Sequence, residues 1–230
     1  TTGIFGKWHL GDEEPYKPHN RGFDETFIHG AGGIGQKYNC SCADAPGNQY
    51  FDPVIRHNGS FVKTSGYCTD LFFAQALRWM NSQREANQPF FAYIPLNAAH
   101  APHVLPKDDY QQYLGKPDVK EETAKFLGMV ENIDDNLGSL LAKLDELGLD
   151  ERTIVVFLTD NGPNGARFNG GMRGTKGSVH EGGVRVPAIM VWKGRLRAGS
   201  TVTAVMLAFA IRIYDAKKTL SIDACAESKW

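Results

Sequence analysis

The sequence predicts an α/β fold: a mixed, mostly parallel sheet with helices on both faces. Two observations predict it. Short apolar runs bounded by prolines and glycines read as buried strands: PFFAYIPL (Pro89–Leu96), TIVVFLTDNG (Thr153–Gly162) and VPAIMVW (Val186–Trp192). Between them, apolar residues recur at spacings of three and four, the period of helices that cover such a sheet. At 230 residues, 42% hydrophobic and 22% charged, the chain can bury a sizeable core in one or two domains.

The first element is GIFGKWHLG (Gly3–Gly11), read as a strand. Side chains at i and i+2 of a strand share a face, so Lys7 and His9 project together and Trp8 packs on the opposite side. Gly6 and Gly11 let other backbone or a ligand come close. Residues 12–66 are rich in Gly, Pro, Asn and Asp with little periodicity, and read as long loops with short strands. From Thr69 to Arg84, Phe73, Ala76, Leu77 and Met80 follow helical spacing. The strand Pro89–Leu96 comes next. A long amphipathic helix follows Pro117, with Phe126, Val130, Ile133, Leu137, Leu140, Leu144 and Leu147 on its apolar stripe and Gly148 as its stop signal. The strand Thr153–Gly162 breaks at Asp160, and a Gly-rich loop leads to the strand Val186–Trp192. Ligands of such sheets bind beyond the carboxyl ends of the strands. Asp160, Asn161 and the PLNAAH loop with His100 fall at such ends.

A net charge of −1 gives no basic excess, so neither nucleic acid nor a membrane surface is an expected partner. No apolar run approaches the ~20 residues of a membrane span. The first residues already read as structure rather than as a signal peptide, as in a chain that begins in mid-domain. Of the four cysteines, Cys40 and Cys42 are one residue apart, a poor spacing for a zinc knuckle. Cys68 is a candidate disulfide partner for one of them, and the redox compartment stays open.

Four segments carry chemistry-bearing residues. Lys7 and His9 aimed at one spot suit an anion, although an exposed edge strand accounts for them as well. Asp160 and Asn161 both offer oxygen, which hard cations such as Ca²⁺ or Mg²⁺ prefer; Asp-Asn-Gly is equally a favourable turn. His100 lies in NAAHAPH directly after a strand, where a histidine is either a proton carrier or a solvated loop residue. MRGTKGSVHEGGVRVP (Met172–Pro187) sets Arg173, Lys176, His180 and Arg185 among glycines, fit to hold an anion or to form a surface loop.

Taken together, GKWHLG, NAAHAPHVLP, FLTDNG and RGTKGSVHEGGVRVP resemble the sulfatase family in order and context. GKWHLG closely resembles that family's second signature. RGFDETF (Arg21–Phe27) and GYCTDLFFAQAL (Gly66–Leu77) resemble its usual continuation, so the resemblance covers roughly residues 3–200. It implies an alkaline-phosphatase-like core and hydrolysis of sulfuric esters. By the same resemblance Asp160 and Asn161 match the second pair of metal ligands, usually for Ca²⁺, with Mg²⁺ the second choice. Lys7 and His9 match the pair beside the nucleophile and the sulfate oxygens. His100 matches the histidine on the leaving-group side, and Lys176 the lysine touching sulfate and leaving oxygen. A metal and two lysines would counter the negative charge as the S–O bond breaks, and His100 or Lys176 would protonate the departing oxygen.

The family attacks with a formylglycine made from Cys or Ser in C/S-x-P-x-R, and this sequence holds no such motif. The first metal pair, two adjacent aspartates on a first strand, is also lacking; Asp108-Asp109 and Asp134-Asp135 lie elsewhere. The formylglycine is expected upstream of residue 1, and the polypeptide alone is expected to be inert, with one sheet edge uncovered. Residues 1–203 read as a partial catalytic domain, and 204–230 as a divergent tail without the family's H-x-D-x-x-P-T segment. Two alternatives remain: a phosphatase or phosphonate hydrolase of the same superfamily, and a non-catalytic remnant. GKWHLG and K-x-x-x-x-E-G-G favour the sulfatase. The resemblance implies a sulfated carbohydrate rather than a simple aryl sulfate as partner, chosen by loops such as Gly30–Phe51 with Gln36, Lys37, Tyr38 and Asn39. It also implies a periplasmic, extracellular or lysosomal location.

Overall fold

A computed structural model describes residues 1–11, 13–30, 34, 45 and 47–201. The chain divides into two compact units, Thr1–Asp150 and Glu151–Trp230. Cys40, Cys42, Cys225, the loop residues Gln36 to Asn39 and the tail 204–230 lie outside the described residues.

The first unit is built on a five-stranded mixed sheet. Its strands are β1 (Thr2–Lys7), β2 (Glu25–His29), β3 (Val54–His57), β4 (Ser60–Lys63) and β5 (Phe91–Tyr93), in the order β4-β3-β2-β1-β5. β1 runs parallel to both β2 and β5, in register Lys7↔His29 and Ile4↔Tyr93, while β2, β3 and β4 are antiparallel. The β3–β4 hairpin closes on Asn58-Gly59, both with positive φ (46° and 88°), the chemistry a two-residue turn between twisted strands requires. β1 is thus an interior strand, not the exposed edge strand that the spacing of Lys7 and His9 also allows.

Alternation along β1 and β2 sorts their side chains between two cores. Phe5, Phe27 and His29 face α1 (Cys68–Glu85): Phe5 meets Trp79 with ring centroids 5.5 Å apart, and Phe72 meets Phe27 at 6.0 Å and His29 at 6.2 Å. On the other face Ile4, Trp8 and Ile28 pack with Phe23. There the Trp8 indole N–H donates to the carbonyls of Gly11 and Tyr16, both at 3.0 Å. The covering segment carries two 3₁₀ turns, Glu14–Tyr16 and Pro18–Arg21.

α2 (Glu121–Glu146) packs on α1 and ends at Gly148 in the left-handed region (φ 65°), the stop read from sequence. Asp70 at the start of α1 accepts from Asn132 and Asn136 of α2 at 2.9 and 2.7 Å, so the aspartate of GYCTD is a pin between helices. The buried stripe differs from expectation in its first half. Ala124, Gly128 and Met129 are buried and Val130 is exposed. The reason is the 105–110 segment, whose backbone crosses so closely that a Cβ on Gly128 would lie 2.7 Å from the Asp109 carbonyl oxygen. Cys68 is a buried free thiol, pushed up to about 12 mainly by burial.

In the second unit β6 (Val155–Leu158) and β7 (Ala188–Val191) form an antiparallel pair, with the short helix α3 (Glu181–Val184) between them in sequence. Three apolar runs expected as buried strands are only partly so. All four residues of β7 are exposed, as are Phe91 and Tyr93 of β5. β5 is the outermost strand of its sheet, and a two-stranded ribbon has no third strand to cover it. No described helix is long and apolar enough to cross a membrane.

Candidate active site

The parallel strands β2, β1 and β5 deliver three segments to their common carboxyl end. Lys7 closes β1, half-buried; Trp8 is buried opposite; His9 follows, exposed, one residue past the ladder. The expected shared face of Lys7 and His9 therefore begins in the strand and finishes in the loop behind it. Gly6 explains itself: its φ is 143°, and a Cβ there would meet the Pro95 carbonyl oxygen at 2.0 Å. That close approach lets the Lys7 amide donate to Pro95 at 2.7 Å, which draws the loop after β5 against the end of β1.

The loop carries His100 and is held along its length. The His100 amide donates to the Asn97 carbonyl at 2.8 Å, closing a tight turn. The hydroxyl of Tyr50, fully buried, donates to the His100 carbonyl at 2.9 Å, and burial pushes that phenol well above its ordinary pKa, so it keeps its proton. Further on, His103 bonds Glu122 of α2 and sits edge-on to Phe126 at 5.8 Å. The His100 ring itself donates from Nδ1 to the Ala101 carbonyl at 2.7 Å. A carbonyl only accepts, so Nδ1 carries the hydrogen of this bond.

In the second unit Asp160 is exposed and Asn161 half-buried, in the bend just after β6. Backbone bonds join this bend to the glycine-rich segment, Gly162 N–H to Gly183 and Lys176 N–H to Pro163, both at 2.9 Å, and within that segment Gly182 N–H donates to Arg173 at 2.8 Å. The glycines are steric necessities. A Cβ on Gly162 would lie 1.9 Å from the Gly182 oxygen, and one on Gly182 would lie 2.1 Å from that of Gly174. Lys176, exposed, is thereby held in the same small body as Asp160 and Asn161.

The six residues singled out in the sequence thus gather as two sets, Lys7, His9 and His100 in one unit and Asp160, Asn161 and Lys176 in the other. Asp160 and Asn161 suit a hard cation in kind but supply two oxygens where calcium takes six to eight. Among the described residues no cluster of three or more His, Cys, Asp or Glu completes such a shell. Asp108-Asp109 and Asp134-Asp135 lie in a 3₁₀ turn and in α2, away from any strand end.

The sulfatase family model matches residues 1–211. The chain belongs to the sulfatase family. It is similar to canine N-acetylgalactosamine-6-sulfatase, 32% identical over 206 residues, covering 85% of this chain and 38% of the relative. The mouse protein of the same name is 33% identical over 209 residues, covering 86% and 39%. Among solved structures, Ps i-CgsB in complex with k-i-k-neocarrahexaose superposes with a TM-score of 0.74 at 27% identity, over 86% of this chain and 46% of that one. The chain therefore spans less than half the length of these relatives. Membership in the sulfatase family implies a divalent metal.

Sequence reasoning missed three buried residues bonded to these candidate segments, His29, Asn97 and Tyr50. The only signal was a histidine ending the FDETFIH strand beside Lys7.

Proposed function

We propose that this chain supplies the sulfate-holding and leaving-group side of a sulfuric ester hydrolase, with residues 1–203 in its catalytic domain. The observation that carries the reading is the convergence of Lys7, His9 and the His100 loop at the carboxyl ends of β1 and β5, where an α/β sheet binds its ligand. Lys7 and Lys176 counter the charge on the sulfate oxygens. His100 stands on the leaving-group side and, as the imidazolium, gives the departing oxygen a proton, returning to the neutral ring. His9 stands on the nucleophile side and orients the attacking hydroxyl. Asp160 and Asn161 supply two ligands of a Ca²⁺ ion, which adds positive charge at the sulfate when bound. A sulfated carbohydrate is the substrate class, supported by the sugar sulfatase names of the relatives and by the k-i-k-neocarrahexaose in complex with Ps i-CgsB.

The test is hydrolysis of sulfated and phosphorylated sugars by a polypeptide in which paired aspartates and a converted C/S-x-P-x-R segment precede residue 1. Turnover of the sulfate ester well above the phosphate ester is expected. Preference for phosphate, or no turnover of either, overturns the reading.

A further inference from the structure

We propose that His29 is a positioning residue that locks the His100 turn to the end of β1. The proposal deepens the reading of His100 as the proton donor and rests on it. His29 ends β2 in register with Lys7 and is fully buried. Its two polar ends reach two different segments. The backbone carbonyl accepts the Trp8 amide at 2.9 Å, which carries β1 on toward His9. The ring Nε2 bonds the side-chain oxygen of Asn97, itself only 2% exposed. The Asn97 carbonyl in turn accepts the His100 amide at 2.8 Å. One residue thereby couples both segments of the first unit that carry candidate site residues.

The chemistry of the pair supports a positioning role. An amide oxygen only accepts, so Nε2 carries hydrogen and donates. Burial lowers the ring pKa to about 4, so the imidazole is neutral and its tautomer is fixed by this bond. Nδ1 of His29 and Nδ2 of Asn97 find no partner among the described residues. Two groups are thus desolvated around a single hydrogen bond, a costly way merely to fill space on Phe72. With Tyr50 holding the His100 carbonyl, the turn is gripped at both its ends.

The test uses the chain itself, with backbone and imidazole NMR of wild type, His29→Phe, His29→Gln and Asn97→Leu. The wild-type spectrum is expected to show His29 as the neutral Nε2–H tautomer throughout pH 6–8. His29→Phe keeps the ring packing and deletes the donor; His100 amide protection is expected to fall about tenfold, the scale of one lost buried hydrogen bond. The His100 ring signals should shift with it, while Ile4 and Phe27 amides stay protected. His29→Gln restores the donor and should restore the protection. Should His29→Phe not fold, Asn97→Leu breaks the same bond from the loop side with the same expected loss. Unchanged His100 protection on breaking the bond, or a Gln variant as impaired as Phe, overturns the proposal. In the assembled enzyme the loss should appear in kcat with KM unchanged. Absence of wild-type turnover would count against the hydrolase reading alone, because the exchange result does not depend on it.

Discussion

The amide of Lys176 donates to the carbonyl of Pro163 at 2.9 Å, so the lysine loop and the bend carrying Asp160 and Asn161 form one folded body. Three glycines make that body possible, because the segments meet backbone to backbone with no room for a Cβ. A motif such as K-x-x-x-x-E-G-G is therefore a packing requirement first, and the lysine is its passenger.

Gly182→Ala tests this directly. Its Cβ would stand 2.1 Å from the Gly174 carbonyl oxygen, a backbone atom that cannot move without moving the loop. Destabilisation of more than about 2 kcal/mol is expected, with loss of exchange protection at the Lys176 amide. Gly177→Ala is the control: a Cβ there meets nothing within 4 Å, and its positive φ costs only about 1 kcal/mol. Equal effects from the two substitutions would mean that close approach is not what shapes the loop.

Lys176 and His100 should matter to turnover and little to stability, because Lys176 is exposed and His100 half-buried on a loop held by its backbone. In an active sulfatase that includes this chain, Lys176→Ala and His100→Ala are each expected to lower kcat by roughly 10²–10⁴-fold. Melting temperatures should stay within a few degrees of wild type. The decisive comparison uses two leaving groups. An activated aryl sulfate needs little protonation, so His100→Ala should recover more rate on it than on a sugar sulfate. Equal losses on both substrates would remove His100 from the leaving-group side.

Much of this architecture was legible because periodicity and strand-end residues are local properties. The helices at 68–85 and 121–146 and the loop position of His100 follow from spacing and flanking glycines. The interior placement of GKWHLG does not, because spacing alone fits an exposed edge strand equally well. The illegible parts depend on partners distant in sequence. Val130 fits a helical stripe, yet it is exposed because the 105–110 segment chose Gly128 instead. Apolar runs announce a strand but not its neighbours, so the burial they imply fails at Phe91 and Tyr93 of β5 and along all of β7. His29 and Asn97 are 68 positions apart, and no local pattern couples them.

The buried His29 also predicts how stability responds to acid. Its pKa falls from 6.5 to about 4 on folding, chiefly through desolvation. The unfolded chain therefore binds a proton more readily than the folded one between those values. Stability rises with pH across that window and is lost as pH falls from about 6.5 toward 4. A shift of this size corresponds to roughly 3 kcal/mol. Thermal unfolding followed from pH 7 to pH 4 should show the decline, and His29→Gln should flatten it by about that amount. A variant with the same pH slope as wild type would assign the acid sensitivity to other groups.

Calcium provides the last prediction. Asp160 and Asn161 offer only two of the six to eight oxygens the ion needs, so the ion should bind tightly only when the paired aspartates of the family are also present. In such a protein, calcium at a hundred times its Kd should stabilise by about 2.7 kcal/mol, read as a rise in Tm. Asp160→Ala removes a charged ligand from an exposed bend, where truncation costs the fold little. The calcium-induced rise should disappear while the metal-free Tm is unchanged. Asn161→Asp, which keeps an oxygen at the second position, should preserve the rise. Magnesium should give a smaller rise, because it dehydrates reluctantly and demands a tighter octahedral shell. An undiminished calcium response in Asp160→Ala would place the metal elsewhere and leave the TDNG segment as a turn.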